Sequence, residues 1–475
     1  MSRGAVLAAV LAAALLVLAC ATLPARPWRT VQPLAPAAAR SQTTLLGAQG
    51  PVTAAQKARD LAGMKAEGRA ALVQHHLGVL AAQGELHLYR GNSARLLVDG
   101  PETFAAMKVA IAQARHRVLV ESYIVEDVGV AAEIGALLLR KAAEGVRVAM
   151  LYDSVGSFGT DRAFFDRLRA GGVLVCAFNP VNPLERPGRW GLLQRNHRKM
   201  LAVDSDVAYT GGINLSDVYA SGSFSSGSRA RGAPKPASGP DTDSDTEGWR
   251  DTQVELRGAV VAAMALLFNE SWLAQDCPGA LPPAPAPLQA APGQRVVKLV
   301  AAEPDQGINP TYTALLAGTD AARRSVHVTM AYFAPGPEMV QSLSNAARRG
   351  VDVALVLPGR SDVNLVVYAA RSYYAELLEA GVRIYEVRHA VMHAKTAVID
   401  GVFSTVGSSN LDWRSITGNH EIDVIVLGDD FGQALETLFE QDLLHAQRID
   451  PAQWPRRGAG QRLLEGLGRL MEPLL

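Results

Sequence analysis

Short apolar runs alternate with amphipathic stretches along most of the chain. Between residues 86 and 273, runs rich in Val and Leu, such as Val118–Ile124 and Val146–Tyr152, are separated by stretches with helical periodicity, such as Ala131–Glu144. The same order of elements returns between residues 296 and 446. Strands that are apolar on both faces and are joined by helices form sheets that the helices cover. The pattern therefore predicts an α/β fold with a largely buried sheet in each half.

The two halves are also similar in sequence, and the similarity is centred on one motif. Residues 197–204 and 393–400 both read His-x-Lys, four further residues and Asp, and a turn rich in Gly, Ser and Asn follows each copy. The preceding strands correspond as well, since the run that begins at Val118 matches the run that begins at Val326. A repeat of this extent indicates a duplicated structural unit. We predict two pseudo-symmetric units, at residues 86–275 and 295–447.

Three segments, one within the first unit and two outside the units, lack the pattern of a packed element. The first unit carries an insertion, residues 221–247, which is rich in Ser, Gly and Pro and is predicted to be disordered. Residues 276–294 contain a Pro-rich run that is typical of a linker between the units. Residues 21–51, rich in Ala and Pro, are predicted to form a flexible tether.

The N-terminal end of the chain indicates a membrane tether, and for the C-terminal end packing on the second unit is the default. Residues 1–20 have the basic start and apolar run of an export signal, ending at Cys20, where a lipoprotein signal would be cut and the cysteine lipidated. An uncleaved membrane anchor or a simply cleaved signal are the alternatives. Residues 52–85 are predicted to be helical. Residues 448–475 are amphipathic and would either pack on the second unit or lie on a bilayer.

Composition narrows the classes of partner. The chain of 475 residues has 46 basic and 46 acidic residues, so no overall positive charge draws it to nucleic acid. Its apolar fraction of 48% is ample for a large core. The three cysteines predict no disulfide framework. Cys20 is assigned to lipidation, Cys176 to the core and Cys277 to the linker, and the last two need not pair.

The repeated motif places an imidazole and an ammonium on the same side of an extended segment. His197 and Lys199 are two residues apart, as are His393 and Lys395, so each pair points to one face. If the two units face each other, the four side chains meet around one point, where their charge and proton chemistry suit a phosphodiester. No metal site is predicted, because a lysine ammonium repels a metal ion. No cofactor is implied.

The two motif aspartates have the opposite phase. Asp204 and Asp400 each lie an odd number of residues after the motif histidine, so they belong to the other face or to the following turn. We predict that both are structural residues that cap or orient neighbouring groups.

These motifs resemble those of the phospholipase D superfamily and, within it, the bacterial cardiolipin synthases. The resemblance covers residues 86–444. The segments that carry it are Glu121-Ser-Tyr-Ile, Asn196-His-Arg-Lys, Gly211-Gly-Ile-Asn, Trp249-Arg-Asp and Gly407-Ser-Ser-Asn-Leu-Asp-Trp-Arg-Ser. It implies two α/β sandwich repeats, packed face to face around one shared active site.

The resemblance also implies residue roles. One histidine would form a covalent phosphohistidine, while the other would protonate the departing alcohol and activate the incoming one. Family precedent favours His197 as nucleophile and His393 as acid and base, but the pseudo-symmetry leaves the assignment open. The groups expected to hold the phosphate oxygens are Lys199, Lys395, Asn214 and Asn410. The acidic partners expected to orient the histidines are Asp251 and Glu421.

The implied activity is phosphatidyl transfer between phospholipids at a membrane surface, and formation of cardiolipin from two phosphatidylglycerols is the preferred reaction. Hydrolysis to phosphatidic acid and cleavage of other phosphodiesters, including nucleic acid, are the enzymatic alternatives. A lipid-binding envelope scaffold is the non-enzymatic one. The balanced charge and the export signal argue against nucleic acid as substrate. The expected location is the bacterial cell envelope, membrane-tethered, with the catalytic body on the extracytoplasmic side. No oligomeric state is predicted.

Overall fold

The computed structural model describes residues 31–63, 69–182, 194–223, 248–281, 291–304 and 307–475. The predictions for the leader at residues 1–20, for lipidation of Cys20 and for residues 224–247 of the insertion lie outside the described residues. The middle of the predicted linker, residues 282–290, also lies outside them.

The N-terminal segment packs onto the body of the protein. It contains α1 (Pro36–Gln42), β1 (Thr43–Gly47), β2 (Gly50–Pro51), α2 (Ala54–Gly63) and α3 (Ala70–Ala81). Strand β1 pairs parallel with β3 (Leu86–Val98), and the side chains of Ala39 and Leu45 are buried. The predicted flexible tether at residues 21–51 is therefore wrong over residues 36–51. A short strand can add to an open sheet edge there and bury its apolar side chains.

The first half continues from β3 as a sheet covered by helices. Its elements are α4 (Asp99–Gln113), β4 (Arg117–Ser122), α5 (Gly129–Ala143), β5 (Arg147–Asp153), α6 (Arg162–Ala170), β6 (Leu174–Phe178), β7 (Arg195–Asn196), β8 (Met200–Val203), β9 (Val207–Gly211), β10 (Trp249–Arg250), β11 (Thr252–Arg257) and α7 (Ala259–Ala274). The strand order in its sheet is β6, β5, β4, β8, β9, β11 and β3. Strands β4, β5 and β6 are parallel, and the other neighbours are antiparallel.

The second half repeats this architecture. Its elements are β12 (Arg295–Ala302), α8 (Pro310–Ala321), β13 (Ser325–Met330), α9 (Gly336–Arg348), β14 (Asp352–Pro358), α10 (Asn364–Ser372), α11 (Tyr374–Glu379), β15 (Arg383–Val387), β16 (Val391–Met392), β17 (Lys395–Ile399), β18 (Phe403–Gly407), α12 (Trp413–Thr417), β19 (Asn419–Leu427), α13 (Asp429–Leu444), β20 (Ala446–Arg448) and α14 (Ala459–Leu470). The strand order β15, β14, β13, β17, β18, β19 and β12 matches that of the first half. The predicted pair of α/β repeats is confirmed.

The two halves share one strand and one core. The C-terminal part of β3 pairs with β11 of the first half, and its N-terminal part pairs with β12 of the second. A single buried cluster contains Leu119 and Val254 from one sheet, Val424 from the other, and Phe268 and Trp272 of α7. Because this cluster draws on both sheets, the halves form one folded body.

A disulfide joins Cys176 and Cys277, whose Cα atoms are 5.6 Å apart although the residues are separated by 101 positions in sequence. The expectation that these cysteines need not pair is therefore wrong. Cys176 lies in β6 and Cys277 follows α7, and the indole of Trp272 donates to Gly279 O at 3.2 Å just beyond. The pairing depends on how α7 lies across the sheet, which sequence spacing does not reveal.

The amphipathic C-terminal segment packs on the second half through α14. A Cβ atom placed on Gly468 would lie 2.6 Å from the backbone nitrogen of Ala369, so α14 approaches α10 closely. In the part of the chain that the structure describes, no helix is long and apolar enough to cross a bilayer.

The disulfide predicts a redox-dependent stability. Reduction, or replacement of both cysteines by serine, is expected to lower the free energy of unfolding by about 2 to 4 kcal/mol, because the bond restricts a long loop in the unfolded chain. Thermal denaturation with and without reductant measures this effect. The Cys176→Ser/Cys277→Ser variant serves as control and should not respond to reductant. An identical melting temperature for the oxidised and reduced protein would contradict the prediction.

Candidate active site

Two short strand pairs hold each repeated motif against the opposite half. Strand β7, which precedes His197, pairs with the start of β19, and β10 pairs with β16, which precedes His393. The amide of His197 donates to His420 O at 2.9 Å, and the amide of His393 donates to Arg250 O at 2.8 Å. The backbone of the other half therefore fixes each motif, and both motifs lie at the interface.

Each motif histidine also contacts a carboxylate of the opposite half. His197 Nδ1 lies 3.0 Å from Glu421 Oε2, and His393 Nδ1 lies 2.7 Å from Asp251 Oδ2. The structure thus brings both predicted acidic residues to the two histidines, but in a crossed arrangement. With Nδ1 engaged, Nε2 of His197 is the ring nitrogen left for a substrate.

The two carboxylates are themselves held in place. Ser408 Oγ donates to Glu421 Oε2 at 2.5 Å, and Ser415 Oγ donates to Glu421 Oε1 at 2.7 Å. Asp251 Oδ1 accepts a hydrogen bond from the backbone amide of Thr252 at 2.7 Å. Sequence reasoning missed both serines as site residues. Their position in the quoted segment 407–415 was the available signal.

The two motif lysines are buried beside their histidines. Lys199 Nζ donates to His197 O at 2.7 Å. Lys395 Nζ lies 2.9 Å from His393 Nδ1 and 3.1 Å from its Nε2. His393 and both lysines are thus buried at the interface, where His197 is partly exposed.

The two asparagines predicted to hold phosphate are not equivalent. Asn214 Oδ1 accepts from the amide of Ile124 at 3.2 Å, and its Nδ2 donates to Tyr219 Oη at 3.1 Å. Asn410 is also buried, but its Oδ1 has no hydrogen-bond partner among the described residues. The side chain of Asn214 is therefore engaged by the protein, whereas that of Asn410 is freer to meet a ligand.

Asp204 and Asp400 cap strand starts on the far side of their motifs. Both adopt a positive φ, 51° and 55°. Asp204 accepts backbone hydrogen bonds from residues 115–117, and Asp400 accepts them from residues 323–325. His76 of α3 adds a contact to Asp400 at 2.9 Å. This geometry is that of structural caps, away from the paired histidines.

Sequence reasoning missed the aromatic groups that surround the two histidines. The ring of Tyr123 lies 5.1 Å from that of His197, and the ring of Trp249 lies 5.1 Å from that of His393. Tyr219 Oη is 3.3 Å from His393 Nδ1. Trp249 stood next to Asp251 in a quoted segment, but Tyr219 had no sequence signal, because a 3₁₀ turn after β9 brings it back into the site.

Arg198, which lies between His197 and Lys199, contacts residues at the interface between the halves. Its Nε donates to Glu421 O at 3.1 Å, and one terminal nitrogen donates to Ser271 Oγ at 2.7 Å. The guanidinium is thus buried between the halves and ties the first motif to the strand that carries Glu421. Among the described residues, no group of three or more His, Cys, Asp or Glu side chains could hold a metal ion.

Comparison with known proteins agrees with this geometry. The family described as "Cardiolipin synthase, PLD-like domain" matches residues 107–224 and 315–443, one stretch in each half. A cardiolipin synthase of Geobacillus thermodenitrificans is 34% identical over 402 residues, which cover 84% of this chain and 75% of the relative. The chain belongs to the PLD-like cardiolipin synthase family.

Other members and one solved structure extend the comparison. Cardiolipin synthase A of Pseudomonas syringae is 33% identical over 396 residues, covering 82% of this chain and 77% of the relative. The crystal structure of the phosphatidylserine synthase of Haemophilus influenzae superposes with a TM-score of 0.58 at 13% identity, covering 80% of this chain and 95% of that one. The similarity to the phosphatidylserine synthase structure shows a shared fold.

The lysine and histidine side chains of the site have lowered pKa values. Burial lowers the pKa of Lys199 to about 7 and that of Lys395 to about 8, although nearby carboxylates oppose the shift. Burial also lowers the pKa of His197, and it lowers that of His393 strongly, with added repulsion from Lys395, Lys199 and His197. These mutual effects connect the cations of both halves in one electrostatic cluster.

The two carboxylates respond in opposite ways. For Glu421, burial would raise the pKa, but the contacts with His197 and Lys199 outweigh it and lower the pKa below its usual value. For Asp251, burial dominates and raises the pKa to about 6, despite the opposing charge of Lys395. Glu421 is therefore the firmer anion at neutral pH, and Asp251 is the more readily protonated of the two.

The lowered lysine pKa values predict that kcat/KM falls as the pH rises through about 7 to 8. Below this range both lysines are ammonium ions that attract a phosphodiester, and above it the free enzyme loses that attraction. Initial rates at limiting substrate across this range test the prediction. Lys199→Arg is the matched variant, and its decline should begin at higher pH, because a guanidinium stays charged. A profile that rises through this range would contradict the prediction.

The crossed contacts predict that Glu421→Gln lowers kcat by roughly 10²- to 10⁴-fold, because the histidine loses the anion that fixes its tautomer and stabilises its cation. Glu436→Gln is the matched control. It removes another carboxylate that contacts a histidine, His327, at 2.5 Å outside the site. Turnover assays on folded protein, checked by circular dichroism, measure the difference. Equal losses in the two variants would contradict the role of Glu421.

Proposed function

We propose that the protein is a cardiolipin synthase that transfers a phosphatidyl group from one phosphatidylglycerol to another and releases glycerol. The observation that carries the proposal is the meeting of two His–Lys pairs at one interface, with each histidine on a carboxylate of the opposite half. Such a site offers a nucleophile, a proton donor and fixed positive charge to a phosphodiester without a cofactor. Family membership supports the choice of reaction.

In the first step, Nε2 of His197 attacks the phosphorus of one phosphatidylglycerol. The P–O bond to the headgroup glycerol breaks, and His393 gives its proton to the departing glycerol oxygen. A phosphatidyl group then remains on His197 through a P–N bond. The firm anion Glu421 supports this assignment, because it stabilises the positive charge that the imidazole gains on forming that bond.

In the second step, the roles of acid and base are exchanged. His393, now neutral, takes the proton from a glycerol hydroxyl of a second phosphatidylglycerol. That oxygen attacks the phosphorus, the P–N bond breaks and cardiolipin leaves, so both histidines return to their starting states. The lowered pKa of His393 suits this cycle, since the protonated form gives up its proton readily.

The substrate itself supplies the negative charge that favours a protonated His393. Burial and the surrounding positive charges lower the pKa of both histidines, which favours neutral imidazoles in the free enzyme at neutral pH. A bound phosphodiester anion offsets the repulsion from Lys199 and Lys395 and raises the pKa of His393. The proton donor therefore forms together with the enzyme–substrate complex. Lys199, Lys395 and Asn410 are the proposed phosphate contacts, and Asn214 assists through its remaining amide hydrogen.

We further propose that the enzyme works at the bacterial membrane with its catalytic body on the extracytoplasmic side. The disulfide between Cys176 and Cys277 supports this side, because disulfides persist in oxidising compartments and are rare in the cytosol. The relatives compared above are bacterial. The N-terminal pattern adds the expected export signal.

Lipid product analysis tests the proposed reaction. Purified protein on phosphatidylglycerol vesicles is expected to yield cardiolipin and glycerol by mass spectrometry, and His197→Ala and His393→Ala are each expected to abolish the product. His327→Ala, which changes a histidine outside the site, should leave the rate unchanged. Phosphatidic acid as the main product would instead establish a hydrolase, and absence of any product would remove the proposal.

Trapping the covalent intermediate tests the assignment of the two histidines. With phosphatidylglycerol labelled at the phosphorus, rapid quenching should yield an acid-labile label on His197. The His393→Ala variant should retain slow labelling, because the nucleophile remains, whereas the His197→Ala variant should not be labelled. A label on His393 would reverse the assignment.

A further inference from the structure

The C-terminal helix α14 has its leucines on the outside. Three leucines at spacings of four and three residues share one face and are exposed, namely Leu463 (66%), Leu467 (45%) and Leu470 (52%). Leu474, beyond the helix, is also exposed. A surface helix that packs on a globular body normally turns its apolar stripe inward. In the part of the chain that the structure describes, nothing covers this leucine face.

The opposite face of α14 carries polar and small residues, yet it is the face that is buried. Glu465 is buried, and its carboxylate accepts hydrogen bonds from Arg457 Nε at 2.9 and 3.0 Å. Gly468 allows the close approach to Ala369 of α10. The contacts of Glu465 and Gly468 therefore hold the helix with its leucines outward.

The elements that adjoin α14 lead to the second half of the active site. Helix α10, on which α14 lies, begins just after Asp362, whose carboxylate accepts from Tyr332 Oη at 2.8 Å. The ring of Tyr332 lies 6.3 Å from that of His393. The C-terminal carbonyl of Leu475 accepts from the amide of Arg414 in α12, which follows Asn410 in the chain.

A second exposed apolar group stands beside the first half of the site. Phe158, 82% exposed, lies in the loop after β5, and the exposed Val363 lies in the corresponding loop after β14. The neighbouring Ser157 Oγ donates to Tyr123 O at 3.2 Å, and Tyr123 packs on His197. Both loops follow the carboxyl ends of parallel strands, the edge where the motifs lie. Exposed apolar groups thus flank the active site on both sides.

Basic residues accompany the leucine face. Arg462 lies on one flank of the helix, Arg456 precedes it, and both are exposed. Arg469, on the same flank as Arg462, is also exposed, and its guanidinium lies 4.3 Å from the ring centroid of Tyr373. An exposed stripe of leucines bordered by arginines is the pattern of a helix that lies in the interface of an anionic bilayer. Charge complementarity thus favours an anionic lipid surface over a second copy of this face, which would bring the arginines together.

We propose that the leucine face of α14, together with Phe158, docks the enzyme on an anionic phospholipid bilayer with the active site facing the lipid. This inference rests on the proposed function in taking a membrane lipid as substrate. The docked orientation lets a phospholipid headgroup reach the paired histidines while its acyl chains stay close to the membrane.

Photo-crosslinking tests the docking without relying on turnover. The full chain is mixed with vesicles of phosphatidylglycerol and phosphatidylethanolamine that contain a diazirine-bearing phosphatidylglycerol, and crosslinked peptides are mapped by mass spectrometry. Crosslinks are expected in residues 459–474 and around Phe158. None is expected around Val109, an equally exposed residue of α4 near the strand edge opposite to the motifs. Crosslinks at Val109 and none in α14 would overturn the docking even if cardiolipin is formed.

Substitutions test whether docking matters for catalysis. Leu463→Asp/Leu470→Asp is expected to lower the rate on vesicles by roughly tenfold or more, because charges replace two exposed leucines that would enter the lipid interface. The same variant should keep the wild-type rate on short-chain phosphatidylglycerol dissolved as monomers. Val109→Asp is the matched control and should keep both rates.

The remaining outcomes separate the docking from the reaction. An unchanged vesicle rate for the leucine variant, or an equal loss on monomers and vesicles, would overturn the docking. The docking would also be overturned if the leucine substitutions convert a dimer to a monomer, as measured by light scattering, and leave the rate on vesicles unchanged. In that case the face would join two copies of the chain. Crosslinks in α14 without cardiolipin from the wild type would support the docking and remove the proposed function.

Discussion

Two contacts between a histidine of one half and a carboxylate of the other hold the active site together. Glu421 reaches across to His197, and Asp251 reaches across to His393, and of these four groups only His197 is partly exposed. Each carboxylate also has hydrogen-bond donors in its own half, but the histidine that it orients belongs to the other half. The pairing therefore makes the duplicated fold act as one site instead of two.

Other polar contacts keep the same two surfaces in register. Arg198 of the first motif donates to the backbone oxygen of Glu421, and Arg250 of the first half pairs with Asp442 of α13 in the second half at 2.7 Å. Around them lies the apolar cluster that draws on both sheets. The apolar cluster supplies burial, which does not depend on direction, and the arginines fix the register that brings each histidine to its carboxylate.

The burial that stabilises the interface also prepares its chemistry. Removing the lysines and histidines from water lowers their pKa values, so the charge of the lysines depends on pH near neutrality. In the mechanism that we propose, a bound phosphodiester anion opposes this shift. The surface of α14, in contrast to the polar site, is apolar, because the helix exposes its leucines. A polar interior next to an apolar rim suits a substrate with an anionic headgroup and acyl chains.

The sequence by itself determined the duplicated α/β fold and the two His-x-Lys pairs. The reason is that strand periodicity and a repeated motif are local properties, which survive without coordinates. The same periodicity separated Asp204 and Asp400 from the histidines, and the structure places both at strand starts. The resemblance to a known family further identified Asp251 and Glu421 as the acids, but it left open which histidine each one meets.

Only the tertiary structure decided the features that join distant segments. The crossed pairing of Glu421 with His197, the contact of Tyr219 with His393 and the disulfide of Cys176 with Cys277 all depend on how the halves and α7 pack. The tether prediction failed over residues 36–51 for the same reason, since an open edge of β3 was there to receive β1. The amphipathic pattern of α14 predicted an apolar face, but only the contacts of Glu465 and Gly468 showed that this face points outward. Sequence periodicity states which residues share a side of an element, whereas the partner of that side is set by packing.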